Sequence, residues 1–195
     1  MKKHKFPIIL ILGIVFISIS FILMVFMLVR EYMGSANSKT IITEMEKLLP
    51  IRTQGLPEIY SNNNMPTLEI NGIDYVAMIE IPSFDIILPI TDKWDANNLP
   101  DSPSRFEGSV YNHTMVIGGA DNSHQFGFCD KIETDSVITV TDMTGAQFTY
   151  AVTLVQRADD AEYTWLTDTN YDLTLFCRDT YTMEYIAVRC DFYYD

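Results

Sequence analysis

Two hydrophobic periods divide this chain. From Ile8 to Val29 there is a run of 22 residues without a charge, interrupted by Gly13, Ser18 and Ser20. At ~1.5 Å per residue it makes about 33 Å of helix, enough for a hydrocarbon core of ~30 Å, so it predicts a membrane-spanning helix. Further on, Ile41, Ile42, Met45, Leu48 and Leu49 recur close to i, i+3, i+4, i+7, which predicts a short amphipathic helix ending before Pro50. Residues 50–66 hold Pro50, Gly55, Pro57, Asn62, Asn63, Asn64 and Pro66, the composition of a linker.

Beyond Thr67 the period changes to two. Tyr75 to Ile81 reads as a strand stopped by Pro82, and Phe84 to Ile90 as a second strand that Pro89 marks as edge-like or bent. Trp94 to Pro103 is a loop rich in Asn, Asp and Pro, with room for one helical turn. Thr114 to Gly118 is a buried strand, followed by a loop from Gly119 to Gln125. Val137 to Thr141 and Gln147 to Val155 form a hairpin through Asp142, Met143, Thr144 and Gly145. Residues 158–170 are acidic and loop-like, and the last strand pair lies within residues 171–190. Seven or eight short strands with little helix predict a sandwich or small barrel. The chain therefore divides into a cytoplasmic start (1–7), a transmembrane anchor (8–29), a juxtamembrane helix and linker (30–66) and a β-domain (67–195).

Charge narrows the partners. Lys2, Lys3 and Lys5 precede the apolar run and Arg30 and Glu31 nearly cancel after it, so the positive-inside rule keeps the N-terminus cytoplasmic and the β-domain outside. A cleaved signal peptide ending near Gly34, Ser35 and Ala36 is the rival, but the apolar run exceeds a signal core of ~7–15 residues. Residues 31–195 carry nine basic against 26 acidic side chains, a net charge of −17, which disfavours nucleic acid and anionic lipid as ligands. The three cysteines, Cys129, Cys177 and Cys190, are an odd number, so at least one is free or paired with another molecule. There is no CxxC pair or metal-ligand cluster, and no metal or cofactor is expected.

The final pair of strands carries the candidate chemistry. In Leu173-Thr174-Leu175-Phe176-Cys177-Arg178, alternation puts Leu173, Leu175 and Cys177 on one face and Thr174, Phe176 and Arg178 on the other. The turn Asp179 to Met183 returns the chain along Tyr185 to Arg189.

Taken in order, IEIPSFDIILPI (79–90), RFEGSVYN (105–112), TMVIGGADNSHQFGF (114–128) and LTLFCRDTYTMEYIAVRC (173–190), behind the apolar N-terminus, resemble a sortase. The likeness covers about residues 70–192. It implies a closed eight-stranded β-barrel with short helices on the outer face of a Gram-positive plasma membrane. It also implies a cysteine transpeptidase that cuts a sorting signal on a secreted protein and joins it to a cell-wall or pilin amine. Such a site needs a thiolate nucleophile, an acid or base for the leaving amine and a fixed cation for the oxyanion. The family supplies them as the cysteine of T-L-x-T-C, the histidine of an A-G-H-type motif and an arginine on the last strand.

On an ungapped comparison all three positions are replaced here: the histidine by Ala120, the cysteine by Arg178 and the arginine by Tyr185. In that register Cys177 points to the face opposite the nucleophile's, because a shift of one residue flips every side chain. The resemblance then implies a membrane-anchored, sortase-like protein without the catalytic triad, which binds a peptide or a secreted protein bearing a sorting-signal-like segment. The alternative is a divergent active transpeptidase with Cys177 as nucleophile, His124 as base and Arg178 or Arg189 as oxyanion partner. The blandest readings remain beside these: Cys177 as a buried apolar residue, His124 as a solvated loop residue, Arg178 as one half of a surface ion pair, and the whole domain as a purely structural β-module.

Overall fold

The computed structural model describes residues 5–49, 53–54, 64–95, 99, 102–160 and 162–193. The first four residues, most of the expected linker and the middle of the 94–103 loop, where a helical turn was expected, lie outside the described residues.

Helix α1 spans Lys5–Leu48. It is one helix where two were expected: no proline falls between Val29 and Pro50, and the helix runs through the Gly34, Ser35, Ala36, Asn37 and Ser38 stretch. The chain divides into two compact units, Met1–Ala36 and Asn37–Asp195. In the first unit, Ile9–Val29 has a mean hydropathy of 3.1 over 21 residues and is long and apolar enough to cross a membrane. Its Ser18 hydroxyl donates to the Ile14 carbonyl at 2.9 Å, which spares an apolar medium an unpaired hydroxyl.

In the second unit, short strands β1 (Thr53–Gln54) and β2 (Leu68–Ile70) flank a closed ring. The ring strands are β3 (Ile73–Ile81), β4 (Ile86–Thr91), β5 (Ser104–Glu107), β6 (Met115–Gly118), β7 (Val137–Asp142), β8 (Ala146–Ala158), β9 (Leu173–Arg178) and β10 (Tyr185–Phe192). Hydrogen bonding runs β3-β4-β5-β6-β9-β10-β8-β7 and returns to β3, so eight strands close on themselves. The pairs β4/β5 and β6/β9 are parallel, and the other ring pairs are antiparallel. The closed eight-stranded barrel is the fold expected from the sequence.

Inward side chains of the ring, among them Val76, Ile79, Ile117, Phe148, Leu175 and Val188, make one core. The middle of strand β3, Tyr75 to Ile79, is apolar on both faces because its outer face is covered too: Tyr75 and Met78 pack on Ile41, Ile42 and Met45 of α1. The compact unit thus begins at Asn37, earlier than linker composition predicts, and β1 lies within that expected linker and pairs with β8.

Three other boundaries differ from expectation. Phe84 belongs to a 3-10 turn over Pro82–Phe84, closed by Asp85 at φ 54°, and the strand starts at Ile86. Strand β5 lies in what read as loop, and a four-residue helix α2 (Tyr163–Leu166) lies in the acidic segment. The Asp142–Gly145 hairpin is as expected. Its buried Asp142 accepts from Thr144 N, Thr144 Oγ1 and Ala146 N through one oxygen and from Tyr111 Oη at 2.5 Å through the other. A carboxylate with four donors is stable in that interior.

Candidate functional site

The alternation of β9 decides where its chemistry points. Leu173, Leu175 and Cys177 face the barrel interior and join the main core. Thr174, Phe176 and Arg178 face outward, as do Tyr185, Ala187 and Arg189 of β10, which pair across from Arg178, Phe176 and Thr174 respectively.

The Cys177 side chain is 1 % exposed. Its Sγ lies 3.7 Å from the Phe126 carbonyl, which also accepts from the backbone N–H of Cys129. All three cysteines are buried thiols. Burial raises the pKa of Cys129 well above the ordinary thiol range, with the Cys177 thiol adding to it, and burial likewise raises that of Cys190.

The loop after β6 holds the positions expected to serve a base. The Ala120 backbone N–H donates to Gln125 Oε1 at 3.1 Å, and its carbonyl accepts from the N–H groups of Asn122 and Phe126. The loop turns back on itself and sends Phe126, Phe128 and Cys129 into the core. His124 is half-buried with an unpartnered Nδ1, and among the described residues no hydrogen bond joins it to Cys177 or Arg178. His113 lies before β6 at φ 55°, its ring against Phe192 at 5.0 Å.

Arg178 is exposed at the outer end of β9. Its Nε donates to the Met183 carbonyl at 3.0 Å, and its guanidinium carbon lies 5.5 Å from the centre of the Tyr185 ring. Among the described residues Arg178 makes no ion pair, and the neighbouring carboxylates have other partners. Asp121 Oδ2 accepts from Thr180 N at 2.8 Å. Asp179 accepts from the N–H groups of Tyr181 and Thr182, and both Asp179 and Glu184 pair with Arg157 at 3.5 and 3.2 Å. Hydrogen bonds from Thr182 and Tyr181, with Arg157 adding its charge, hold the Asp179 carboxyl below its usual range.

Arg189 is fully buried on the same outer face. Its Nη1 donates to the Leu166 carbonyl and Thr174 Oγ1, its Nη2 to the Trp165 carbonyl and its Nε to Gln156 Oε1. The rings of Trp165 and Tyr171 flank it at 4.9 and 5.3 Å. It therefore clamps the segment around α2 over β9 and β10. Burial lowers its pKa, an effect that Asp168 opposes. Every nitrogen of this guanidinium has a partner, and Thr174 lies four residues, roughly 13 Å of strand, from Arg178.

Between the two arginines lies an aromatic cluster. Trp94, Phe106 and Phe176 pack with ring centres 5.0 to 5.4 Å apart, and Tyr163 joins Phe106 at 5.9 Å. Val116, Leu166, Ala187, Trp165 and Tyr185 complete it. Gly118 makes the arrangement fit: a Cβ there would lie 2.2 Å from the Trp94 ring and 2.6 Å from Phe176. Beyond the cluster a cavity of about 450 Å³ is lined by Trp94, Phe106, Lys93, Glu107 and the ion-paired Asp92 and Arg105.

Sequence reasoning missed Trp94, Phe106 and Trp165. The signal was there: both tryptophans sit in polar, acidic stretches too short of apolar residues to bury an indole locally, so each must pack on another element.

No protein-family model matches the sequence, and no curated protein matches it significantly. Solved structures do. Sortase C1 from Streptococcus agalactiae is 20% identical at a TM-score of 0.56, over 65% of this chain and 72% of that one. A sortase C from Clostridium perfringens SM101 is 22% identical at 0.55, over 63% and 71%. The Listeria monocytogenes sortase A is 21% identical at 0.54, over 62% and 88%. Closure of eight strands in this order, together with those superpositions, shows that the domain behind the apolar helix has the sortase fold.

Proposed function

We propose that this is a membrane-anchored, sortase-like barrel that binds a peptide segment on the outer face of β6, β9 and β10 and does not cut it. One observation carries the proposal: the strand position that faces the outer groove holds Arg178, while Cys177 is enclosed in the core. A thiol enclosed there has neither access to a peptide carbonyl nor a cation to favour its thiolate. The outer face instead offers half-buried rings and a guanidinium, a surface suited to an extended segment of a secreted protein. The lysines at positions 2, 3 and 5 support a cytoplasmic N-terminus and a barrel outside the cell, and the length of Ile9–Val29 supports an anchor over a leader.

The test uses the full chain in detergent micelles, given fluorogenic sorting-signal peptides and an amine acceptor. No cleavage is expected, and Cys177 should stay unalkylated at pH 7 until the protein is denatured. Cleavage abolished by Cys177→Ala would overturn the proposal in favour of an active transpeptidase. The topology is tested by external protease on intact cells, which should degrade the barrel and spare the first residues.

A further inference from the structure

Among the described residues Arg178 makes no ion pair. It stands at the end of the outward row Thr174, Phe176, Arg178, in a domain with a large negative charge. Three carboxylates lie in its own loop cluster and none is paired with it: Asp179 and Glu184 pair with Arg157, and one oxygen of Asp121 accepts from the Thr180 N–H. Meanwhile Nε is tied to the Met183 carbonyl and the plane is held against Tyr185. Among the described residues Nη1 and Nη2 have no partner. The fork is thus oriented by one edge and open on the other, which is the arrangement that takes a carboxylate through two parallel hydrogen bonds.

Building on the peptide-binding reading above, we infer that the ligand is a peptide that ends at this site, its free C-terminal carboxylate held by Arg178. Charge favours a carboxylate over a neutral carbonyl, since among the described residues the guanidinium has no ion-pair partner and both of its Nη groups are open. The position selects a chain end over a side chain. An extended peptide lying along the Trp94, Phe106 and Phe176 rings reaches Arg178 where the row of outward side chains stops and the Asp179–Met183 turn begins. There the Asp179–Met183 turn is tied to Asp121 of the loop after β6 through the Thr180 N–H, which closes the row, and Tyr181 at the tip of the turn is 95 % exposed. Residues further from the terminus have room in the cavity that Trp94 and Phe106 share.

The protein carries a reporter for this. Its two tryptophans, Trp94 and Trp165, both belong to the outer cluster, so intrinsic fluorescence reads the proposed site. The full chain in non-ionic micelles is titrated with three pools of acetyl-tetrapeptides: one with a free C-terminal carboxylate, one amidated, and one amidated with glutamate as the last residue. Binding is confirmed by equilibrium dialysis. The free-acid pool should bind at least ten-fold more tightly than either amidated pool. Arg178→Gln should abolish the acid preference, so that acid and amide pools bind the variant equally, and Arg178→Lys should keep part of the preference. Equal binding of acid and amide, or an acid preference that survives Arg178→Gln, overturns the inference and leaves peptide binding standing. A glutamate amide that matches the free acid overturns the terminal assignment in favour of a side-chain carboxylate. Absence of binding by all three pools overturns the peptide-binding reading and this inference together.

Discussion

The inner and outer faces of β9 and β10 are made from alternate residues of the same two strands and obey different rules. Inside, Leu173, Leu175, Cys177, Ile186, Val188 and Cys190 form a dry, apolar surface in which even the thiols behave as small hydrophobes. Outside, Thr174, Phe176, Arg178, Tyr185, Ala187 and Arg189 mix rings, a hydroxyl and two cations. Cys177 and Arg178 are adjacent in sequence and on opposite sides of the sheet. A residue's chemistry here is set by whether its position along the strand is odd or even. The outer face adds a second contrast, because its two arginines have opposite fates: Arg189 is fully bonded and buried, Arg178 half-bonded and exposed.

The largest effect should come from the buried arginine. Arg189→Ala removes four hydrogen bonds from a cation and releases the Trp165 and Leu166 carbonyls, and it is expected to cost about 3 kcal/mol or more of unfolding free energy. Urea titration followed by tryptophan emission measures it, and a loss below ~1 kcal/mol would show that the clamp is not what holds the α2 segment.

The inner face should reveal itself through alkali. Burial raises the pKa values of Cys129 and Cys190 above their unfolded values, so the folded state keeps protons that the unfolded state releases. The stabilisation is complete below the unfolded thiol pKa of ~8.5 and declines as pH rises from there toward the folded pKa, with a slope of about 1.4 kcal/mol per pH unit for each thiol. Urea midpoints between pH 7 and 10 test this, and Cys190→Ala should lessen the slope.

The smallest effect belongs to the exposed arginine: Arg178→Gln should change stability by less than ~0.5 kcal/mol in the same urea titration. A larger loss would mean that Arg178 is a second structural clamp and that the contrast with Arg189 is false.

Much of this was legible in the sequence, for identifiable reasons. Short apolar runs locate β3 and β6 and period-two alternation locates β7, β8, β9 and β10, and alternation alone places Cys177 and Arg178 on opposite faces. Strand β5 is not legible, because four residues with a register shift between Arg105 and Glu107 give no alternation to read. The role of Arg189 is hidden for a different reason: two of its partners are backbone carbonyls some twenty residues away, and carbonyls look the same behind any side chain. The start of the compact unit was obscured by prolines and asparagines around β1, although Asn71 and Gly72, at φ 54° and 80°, plainly mark the β2–β3 hairpin.

The glycine at position 118 has a consequence that reaches past this molecule. As placed, the Trp94 ring occupies the space a β-carbon would need, so this position records whether an aromatic ring lies flat on β6. The resemblance to the A-G-H-type motif puts an alanine at this position, and an alanine would push that ring away. Among distant chains of this fold, a glycine pair ending the strand, with a tryptophan in the loop after β4, becomes a diagnostic for a ring-covered floor that can be searched for in sequence data alone.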